Sequence, residues 1–420
     1  MNELTGQFPA DWELLRLPEV LFFQEGPGIT SDKFTKEGIP FINIRCFVNG
    51  RIDRSSCQFI SQKLGNGEYK HFQLDVNDWV FSSSGTIGKI ALIFDEDLPL
   101  LLNTSTIRFR TQDEKRLANN YIKFFLESFH FKIQHQLQTQ GSAQVNVGPT
   151  HLQKMHIPLP PIKEQTQIAT ILSTIDRAIE QTEALIAKQQ RIKTGLMQDL
   201  LTKGIDENGN IRSEETHEFK DSPLGRIPVE WEVKSLQECV EFWDGKRVPL
   251  KQSDRDLMQG EIPYYGASGI IDYIDKYIFD EDLILVGEDG ENVVSRRLPL
   301  CFKITGKSWV NNHAHVLKPV FNANIDFLTE RLEFFDYTLL ISGSAQPKLN
   351  QRNLRNLSFS IPPLSEQKMI ASLITNQNRS IKEYETEKEK LMRKKTGLMQ
   401  DLLTGKVRVT DLLNQKTATN

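Results

Sequence analysis

A chain of 420 residues is too long for one ordinary hydrophobic core, so we predict two to four domains. Its 39% hydrophobic and 25% charged residues are typical of a soluble globular protein. Because no apolar run approaches a membrane span and the start lacks a signal-peptide pattern, we expect a cytoplasmic protein with no membrane partner. The net charge of −4 argues against a simple basic DNA-binding module, and the four scattered cysteines argue against a disulfide framework or a thiolate zinc site.

The first part of the chain contains short β-prone runs bounded by Gly, Asn and Asp. These runs lie at 39–47, 79–82, 89–94 and 106–109, and a helical pattern follows at 118–136. We predict a mainly β domain with one helix.

A helix of about 40 residues, hence about 60 Å, is predicted next. It starts at Pro160 and Pro161, because proline loses no intrahelical bond at the first position, and Glu164 lies where the helix dipole favours an acid. Its apolar residues recur every 3.5 residues over about five heptads, a period typical of coiled coils. The predicted seam includes Ile168, Leu172, Ile175, Ile179, Leu196 and Leu200.

A polar segment follows at 206–221. It holds six acidic and two basic residues, so it accounts for the whole charge imbalance of the chain. Its Gly, Asn and Ser content and its lack of an apolar period predict a solvated connector.

The last part of the chain has the same order of elements. Short β-prone runs lie at 262–265, 270–274, 283–286 and 314–317, and a helical pattern lies at 325–340. A second long helix then begins at Pro362 and Pro363. Its predicted seam includes Ile370, Ile374, Ile381, Leu398 and Leu402.

Sequence motifs show that the chain is duplicated. At an offset of 202 residues, GSAQ, then PPIKEQ or PPLSEQ, and then TGLMQDLLT occur twice. PxxWE opens each half at an offset of 219. Within the repeated nonapeptides, Gly195 and Gly397 are predicted to allow close helix packing, or else to form a notch for another protein, since glycine in a helix costs about 1 kcal/mol.

Enzyme signatures are missing from the sequence. It contains no G-x-G-x-x-G, P-loop, G-x-S-x-G or Asn-Pro-Pro-aromatic pattern. His313 and His315 have the spacing of two metal ligands on one strand face, but they lack a third ligand nearby, so we predict no metal site and no catalytic residues. The acidic stretch GEDGEN is interpreted as a turn.

Several loops have chemistry suited to a phosphate-bearing partner. SSSGTIGK offers hydroxyls, glycine-exposed N–H groups and a lysine, while bases and aromatics recur in DGKR, YYGASG and SRR. The alternative is that these are ordinary solvated turns. The candidate DNA-binding residues are Ser84, Thr86, Lys89, Lys246, Arg247, Tyr264, Tyr265, Arg296 and Arg297.

The repeated order PxxWE, variable domain, GSAQ, PPxxEQ and TGLMQDLL resembles the specificity subunit of Type I restriction-modification systems, over nearly the full chain. The resemblance implies an α+β fold with two mainly β target-recognition domains and two long helices in an antiparallel coiled coil, duplicated about a pseudo-twofold axis. The expected divisions are 1–156 (recognition), 157–205 (helical spacer), 206–358 (connector and recognition), 359–410 (helical spacer) and 411–420 (tail).

The resemblance also implies a function. The chain would recognise a bipartite target in double-stranded DNA, with Gln144, Asn146, Gln346 and Lys348 at its DNA side. It would dock two methylation subunits and two restriction or translocase subunits, on which S-adenosylmethionine, ATP and Mg²⁺ bind. The chain itself would be non-catalytic and bind no cofactor. Two alternatives remain, a coiled-coil scaffold or inhibitor that sequesters such subunits and a self-contained enzyme.

Overall fold

The computed structural model describes residues 8–139, 146–342 and 347–410. The chain forms two compact units. The first unit contains the residues up to Ala184 together with those from Glu385 onward, and the second is Leu185–Tyr384. Each unit therefore combines one divergent segment with parts of both long helices.

The first unit contains eleven named strands within the described residues. They are β1 (Glu13–Arg16), β2 (Leu21–Glu25), β3 (Phe34–Thr35), β4 (Ile39–Phe41), β5 (Phe47–Val48), β6 (Arg51–Ile52), β7 (Gln58–Ile60), β8 (Trp79–Ser82), β9 (Ile90–Leu92), β10 (Thr106–Thr111) and β11 (His156–Leu159). Its helices are α1 (Gln62–Asn66), α2 (Asn119–Glu127), α3 (Phe129–Thr139), α4 (Pro149–Leu152) and the start of α5 (Ile162–Thr202).

An antiparallel sheet in the order β2-β10-β8-β9 forms the centre of this unit. All four residues of β8 are buried, as expected for a central strand with a continuous apolar run. One face packs on α2, and β1 pairs with β11 directly before α5 begins. The predicted runs at 79–82, 89–94 and 106–109 are thus confirmed as strands.

The predicted helix at 118–136 is interrupted. Ser128 adopts an extended backbone conformation between α2 and α3. Its hydroxyl donates to the carbonyl of Phe125 at 2.6 Å and accepts from the amide of Phe131 at 3.1 Å. One serine therefore ends the first helix and caps the second, a role that favours serine over most residues.

The second unit has fourteen named strands within the described residues. They are β12 (Phe219–Ser222), β13 (Gly225–Pro228), β14 (Glu232–Ser235), β15 (Val240–Phe242), β16 (Gln259–Gly266), β17 (Gly269–Ile274), β18 (Phe279–Asp280), β19 (Leu283–Gly287), β20 (Cys301–Ile304), β21 (Lys307–Val310), β22 (Ala314–Pro319), β23 (Ile341–Ser342), β24 (Lys348–Leu349) and β25 (Ser358–Ile361). Its helices are α6 (Leu236–Cys239), α7 (Gln252–Asp256), α8 (Asn292–Ser295), α9 (Ile325–Glu333), α10 (Gln351–Arg355) and the start of α11 (Leu364–Leu403).

The second unit repeats the framework of the first. Its sheet β15-β22-β19-β20 has the same arrangement as β2-β10-β8-β9, and β14 pairs with β25 just before α11 as β1 pairs with β11 before α5. A further sheet, β17-β16-β21-β18, belongs to this unit. The predicted runs in this half are confirmed as strands, although α9 ends at Glu333 instead of reaching 340.

The long helices α5 and α11 pack together along the seam that the coiled-coil period predicts, in the antiparallel orientation that the resemblance implies. In the second unit Leu200 shares a core with Ile370 and Ile374, and Gln377 donates to the side-chain oxygen of Gln189 at 2.8 Å. In the first unit Ile168 and Leu172 share a core with Leu398 and Leu402. The remaining seam residues, Ile175, Ile179, Leu196 and Ile381, are buried or half-buried.

The two glycines of the repeated nonapeptides do not lie in this seam. Gly195 and Gly397 are exposed, and a Cβ built on either one would meet no atom within 4 Å. The prediction that they allow close packing of the helices is therefore wrong. The alternative, a notch for another protein, stays a prediction.

The segment 206–221 is folded, so its interpretation as a solvated connector is incomplete. Ile205 bridges to Ile211, and the strands β12 and β13 form a hairpin. Arg212 is buried and forms an ion pair with Glu366 at 2.5 Å. Apart from Arg212, the residues of this segment are exposed or half-buried, so most of it remains in contact with water.

Candidate nucleic-acid interface

In the first unit, three chain segments meet where β8 ends and β10 begins. The amide of Ser83 donates to the carbonyl of Ser105 at 2.8 Å, and the amide of Val147 donates to the carbonyl of Ser83 at 2.9 Å. The amide of Ser105 donates to the side chain of Asn103 at 3.0 Å. We call this arrangement the strand junction. It brings the loop after β8, the turn before β10 and the segment after the GSAQ motif to one edge of the sheet.

The predicted phosphate-binding loop lies at this edge. Gly85 and Gly88 have φ values of 65° and 96°, which side chains rarely adopt. Thr86 is exposed and Ser84 is half-buried, so both remain available to a ligand. The ammonium group of Lys89 donates to the carbonyl of Ile44 at 3.2 Å, so part of its hydrogen-bonding capacity is already used.

The second unit contains an equivalent strand junction. The amide of Glu288 donates to the carbonyl of His313, and the amide of Leu349 donates to the carbonyl of Glu288, both at 2.8 Å. The amide of His313 donates to the side chain of Asn311 at 2.8 Å. The hydrogen bonds match those of the first junction one by one, although the side chains differ.

A buried polar network lies beneath the second junction. Nδ1 of His315 lies 2.6 Å from a carboxylate oxygen of Asp244, and its Nε2 lies 2.8 Å from the carbonyl of Leu349. Both partners are acceptors, so whichever ring nitrogen carries a proton has an acceptor within hydrogen-bonding distance. Gln351 donates to the same carboxylate at 2.7 Å. The network fixes the segment after the second GSAQ motif to the sheet.

Cations around the junction keep its acids ionised. Burial opposes ionisation of Glu288, but hydrogen bonds from Arg247 and Lys348 outweigh it and lower the pKa of Glu288. The hydrogen bond between Lys348 and Glu288 also raises the pKa of Lys348. Burial likewise opposes ionisation of Asp244, but the bond from His315 helps to lower the pKa of Asp244. The junction therefore holds paired charges in a protected environment.

Several candidate DNA-binding residues gather at the junctions. In the first unit Ser84, Thr86 and Lys89 lie on the loop after β8, and Asn146 is exposed beside Val147. In the second unit Lys348 lies beside Leu349, with a side chain 51% exposed. Gln144 and Gln346 lie outside the described residues.

Other candidates are held in structural roles within the second unit. Tyr264 is 1% exposed, and its hydroxyl accepts from the amide of Leu250 at 3.0 Å. The side chain of Arg247 is 14% exposed and held by Glu288 at 2.7 Å. Arg296 has a positive φ of 50° and forms an ion pair with Glu333 at 3.0 Å. Buried or paired groups of this kind have little surface left for a base.

The remaining candidates of the second unit retain some surface. Lys246 is exposed above the ring of Trp243, at 3.1 Å from its centroid, and Arg297 is exposed. Tyr265 is half-buried against Phe302. These three stay predictions.

The two histidines considered as metal ligands are engaged separately. His315 bonds to Asp244 inside the domain, whereas His313 bonds to Asp289 at its surface. No group of three or more His, Cys, Asp or Glu side chains in the described ranges is arranged to hold a metal ion.

The repeated Glu-Gln dipeptides join each divergent segment to the helices. The side chain of Gln165 accepts from the amide of Ala118 at 2.9 Å and donates to the carbonyl of Pro160 at 2.8 Å. In the second unit Gln367 accepts from the amide of Asn324 at 2.8 Å and donates to the carbonyl of Pro362 at 2.9 Å. The same buried glutamine thus anchors the chain before α2 and before α9.

The preceding glutamates bind the segment that follows the antiparallel helix. Glu366 accepts from Arg212 and, at 3.1 Å, from the indole of Trp231. Glu164 accepts two hydrogen bonds from Arg408, both at 2.8 Å. The tryptophan of the PxxWE motif packs at both joints, but the indole nitrogen of Trp12 has no partner among the described residues. The PPxxEQ repeat therefore encodes one joint used twice, which the sequence pattern alone did not explain.

Comparison with known proteins matches this duplicated architecture. The family model of the Type I restriction modification DNA specificity domain matches residues 9–189 and 228–393. The chain belongs to this family. Each of the two matched regions contains one strand junction and one glutamine anchor, so the family match covers the repeated framework in both units.

Relatives span nearly the whole chain. The MjaVIII specificity subunit of Methanocaldococcus jannaschii is 27% identical, covering 98% of this chain and 96% of its own. The putative MjaX specificity subunit of the same organism is 25% identical, covering 96% and 95%. Among solved structures, the S subunit of a Type I restriction-modification system from M. genitalium has a TM-score of 0.59 at 16% identity, covering 95% and 97%. The chain is therefore a Type I specificity subunit in family and in fold.

No helix in the described part of the chain combines the length and the apolar character needed to cross a bilayer.

Proposed function

We propose that the chain recognises a bipartite DNA sequence and directs partner subunits to it. The observation that carries the proposal is the duplicated strand junction, which has the same hydrogen-bonded framework in both units but different side chains at its surface. Two domains that recognise two different DNA half-sites require a shared framework that carries different exposed side chains. Each unit would read one half of the target.

Base recognition fits the side chains available at these edges. Asn146 has the amide that pairs with adenine edges, and Lys348 has the ammonium group that pairs with guanine edges. Hydroxyls of Ser84 and Thr86 suit phosphate or base contacts. The near-neutral overall charge means that other subunits would contribute part of the positive surface that DNA binding needs.

The paired helices are proposed to dock the methylation subunits. The repeated nonapeptide leaves Gly195 and Gly397 exposed on helices where alanine would be more stable. In the first unit a groove of about 560 Å³ runs beside this repeat, and its lining includes Phe129 and Met399. The side chain of Phe129 is 76% exposed, which is unusual for a large apolar group without a partner.

The catalytic steps are assigned to partners. Two methylation subunits would bind S-adenosylmethionine and methylate one adenine per half-site at N6 after base flipping. Two restriction or translocase subunits would use ATP and Mg²⁺ to cut unmodified DNA. This chain would supply sequence recognition and assembly, and no catalytic group.

Methylation sequencing tests the proposal directly. DNA is sequenced from cells that express this chain with its methylation subunit and from cells that express either one alone. We expect a split motif with N6-methyladenine on both strands only in the combined sample. No motif in any sample would favour the sequestering scaffold, and a motif from this chain alone would reveal an enzyme.

A substitution in the second unit tests whether each unit recognises its own half-site. Arg297 is exposed in the second unit, so Arg297→Ala should affect at most the second half-site. If the methylated motif changed only in its first half-site, the assignment of the second half-site to the second unit would be wrong.

A further inference from the structure

The two strand junctions define pairs of structurally equivalent residues. The carbonyls of Ser105 and His313 each accept a hydrogen bond from the amide of the residue that follows the central strand. Their own amides each donate to the side chain of an asparagine. They therefore occupy the same position in two frameworks of the same geometry. The sequence alone does not align them, because the segments around them have diverged.

The side chains at this position have very different chemistry. The hydroxyl of Ser105 is half-buried and donates to Asn103 at 2.5 Å. The imidazole of His313 is 52% exposed, and its Nδ1 lies 2.9 Å from both carboxylate oxygens of Asp289. A position that is fixed in backbone geometry but variable in exposed chemistry is suited to discriminating between ligands.

The carboxylate of Asp289 orients the imidazole of His313 so that its Nε2 can accept a hydrogen bond. A carboxylate accepts hydrogen bonds, so it holds the ring proton on Nδ1 and leaves Nε2 as an acceptor in the neutral ring. Nε2 has no partner among the described residues. This is the same orienting role that carboxylates play for histidines whose second nitrogen binds a ligand.

Neighbouring residues support a ligand at this edge. Lys348 lies on the adjacent segment, with its side chain half exposed and bonded to Glu288 at 2.9 Å. Asn312, next to His313, is also exposed. The segments of this junction thus carry an acceptor, an ammonium group and an amide, which suit the mixed donor and acceptor pattern of a base-pair edge in the major groove.

We propose that His313, oriented by Asp289, is a specificity-determining residue of the second unit that accepts a hydrogen bond from the exocyclic amino group of adenine or cytosine. This inference rests on the proposed function. Ser105 is its counterpart in the first unit.

The test exchanges the residues between the equivalent positions. His313→Ser replaces the Nε2 acceptor of the long imidazole with a short hydroxyl, the side chain that the first framework carries. The variant is expressed with the methylation subunit, and its methylated motif is compared with the wild-type motif. We expect one base pair of the second half-site to become degenerate, with discrimination reduced on the order of ten- to a hundred-fold, while the first half-site stays unchanged.

A control and a reciprocal variant make the result specific. His217→Ser changes a partly exposed histidine of the same unit, away from the junction, and should leave the motif unaltered. Ser105→His should alter only the first half-site. If His313→Ser lowers the amount of methylation at an unchanged motif, the residue is merely structural and the inference is overturned.

Two further outcomes are informative. If a base pair of the first half-site becomes degenerate instead, the assignment of His313 to the second half-site is wrong. If the wild-type complex itself gives no split motif, the proposed function fails; an intact wild-type motif with an unchanged variant motif overturns this inference alone.

Discussion

The two Glu-Arg joints should differ in strength, although the same motif encodes them. In the second unit Arg212 and Glu366 have side chains only 10% and 5% exposed. Glu366→Gln preserves the size of the side chain but leaves the guanidinium group of Arg212 buried without a counterion. Breaking a buried ion pair in this way costs about 3–5 kcal/mol. The indole of Trp231 would lose its charged acceptor as well.

The first unit provides the matched comparison. Glu164→Gln removes the same charge, but Arg408 retains Asp11 at 2.7 and 2.9 Å, and its side chain is 27% exposed. A partly hydrated arginine with a second acid loses only about 1 kcal/mol. We therefore expect Glu366→Gln to destabilise its unit by roughly 2–4 kcal/mol more than Glu164→Gln does.

Hydrogen exchange measured by mass spectrometry separates the two effects, because it reports local opening free energies. The peptides to follow cover residues 205–236 in the second unit and 9–20 in the first. Glu214→Gln, which changes an exposed pair with Arg226, is the surface control and should leave protection unchanged. Equal losses of protection in Glu366→Gln and Glu164→Gln would refute the reasoning.

Three other perturbations test the helices and the first core. Leu200→Asp puts a charge at a fully buried position of the seam and should abolish methylation of both half-sites. The control Leu185→Asp changes an exposed position of the same helix and should be tolerated. Intact methylation in Leu200→Asp would contradict the coiled-coil account. Gly195→Ala and Gly397→Ala should each stabilise the chain by about 1 kcal/mol in a thermal melt but weaken assembly with the methylation subunit, and unchanged assembly would argue against a docking notch. Burial lowers the pKa of His130 from 6.5 to about 4, so the unfolded chain binds the proton first; the first unit should lose up to about 3 kcal/mol as the pH falls through this range, and His130→Phe should remove that slope in urea titrations.

The helical part of the fold could be read from the sequence with good accuracy. The proline pairs lie directly before the helices, which begin at Ile162 and Leu364, and the predicted seam residues are buried or half-buried along their length. This succeeds because helix periodicity is a local property, and a 3.5-residue repeat leaves one face that must be covered. The central strands were also predictable, since residues such as those of β8 are apolar on both faces.

The site was harder to predict, because its residues meet only after folding. The charges of Lys89 and Arg247 predict contact with DNA, but Lys89 donates to a carbonyl and Arg247 is held by Glu288. The aromatic ring of Tyr264 predicts stacking on a base, but the ring is buried. The spacing of His313 and His315 is that of metal ligands, and nothing in the local sequence indicates that Asp289 orients His313. Exposure and pairing depend on distant segments, so composition cannot supply them.

The sequence by itself determined that the chain is duplicated and that two long helices pair along an apolar seam, because both facts are encoded in repeats and periodicity. Only the tertiary structure decided how each half is assembled. It showed that Gln165 and Gln367 anchor equivalent backbone groups, that Arg212 is buried within an acidic segment, and that Ser105 and His313 are counterparts. Each of these contacts joins residues far apart in the chain, and their geometry is set by the packing of whole elements and not by local sequence.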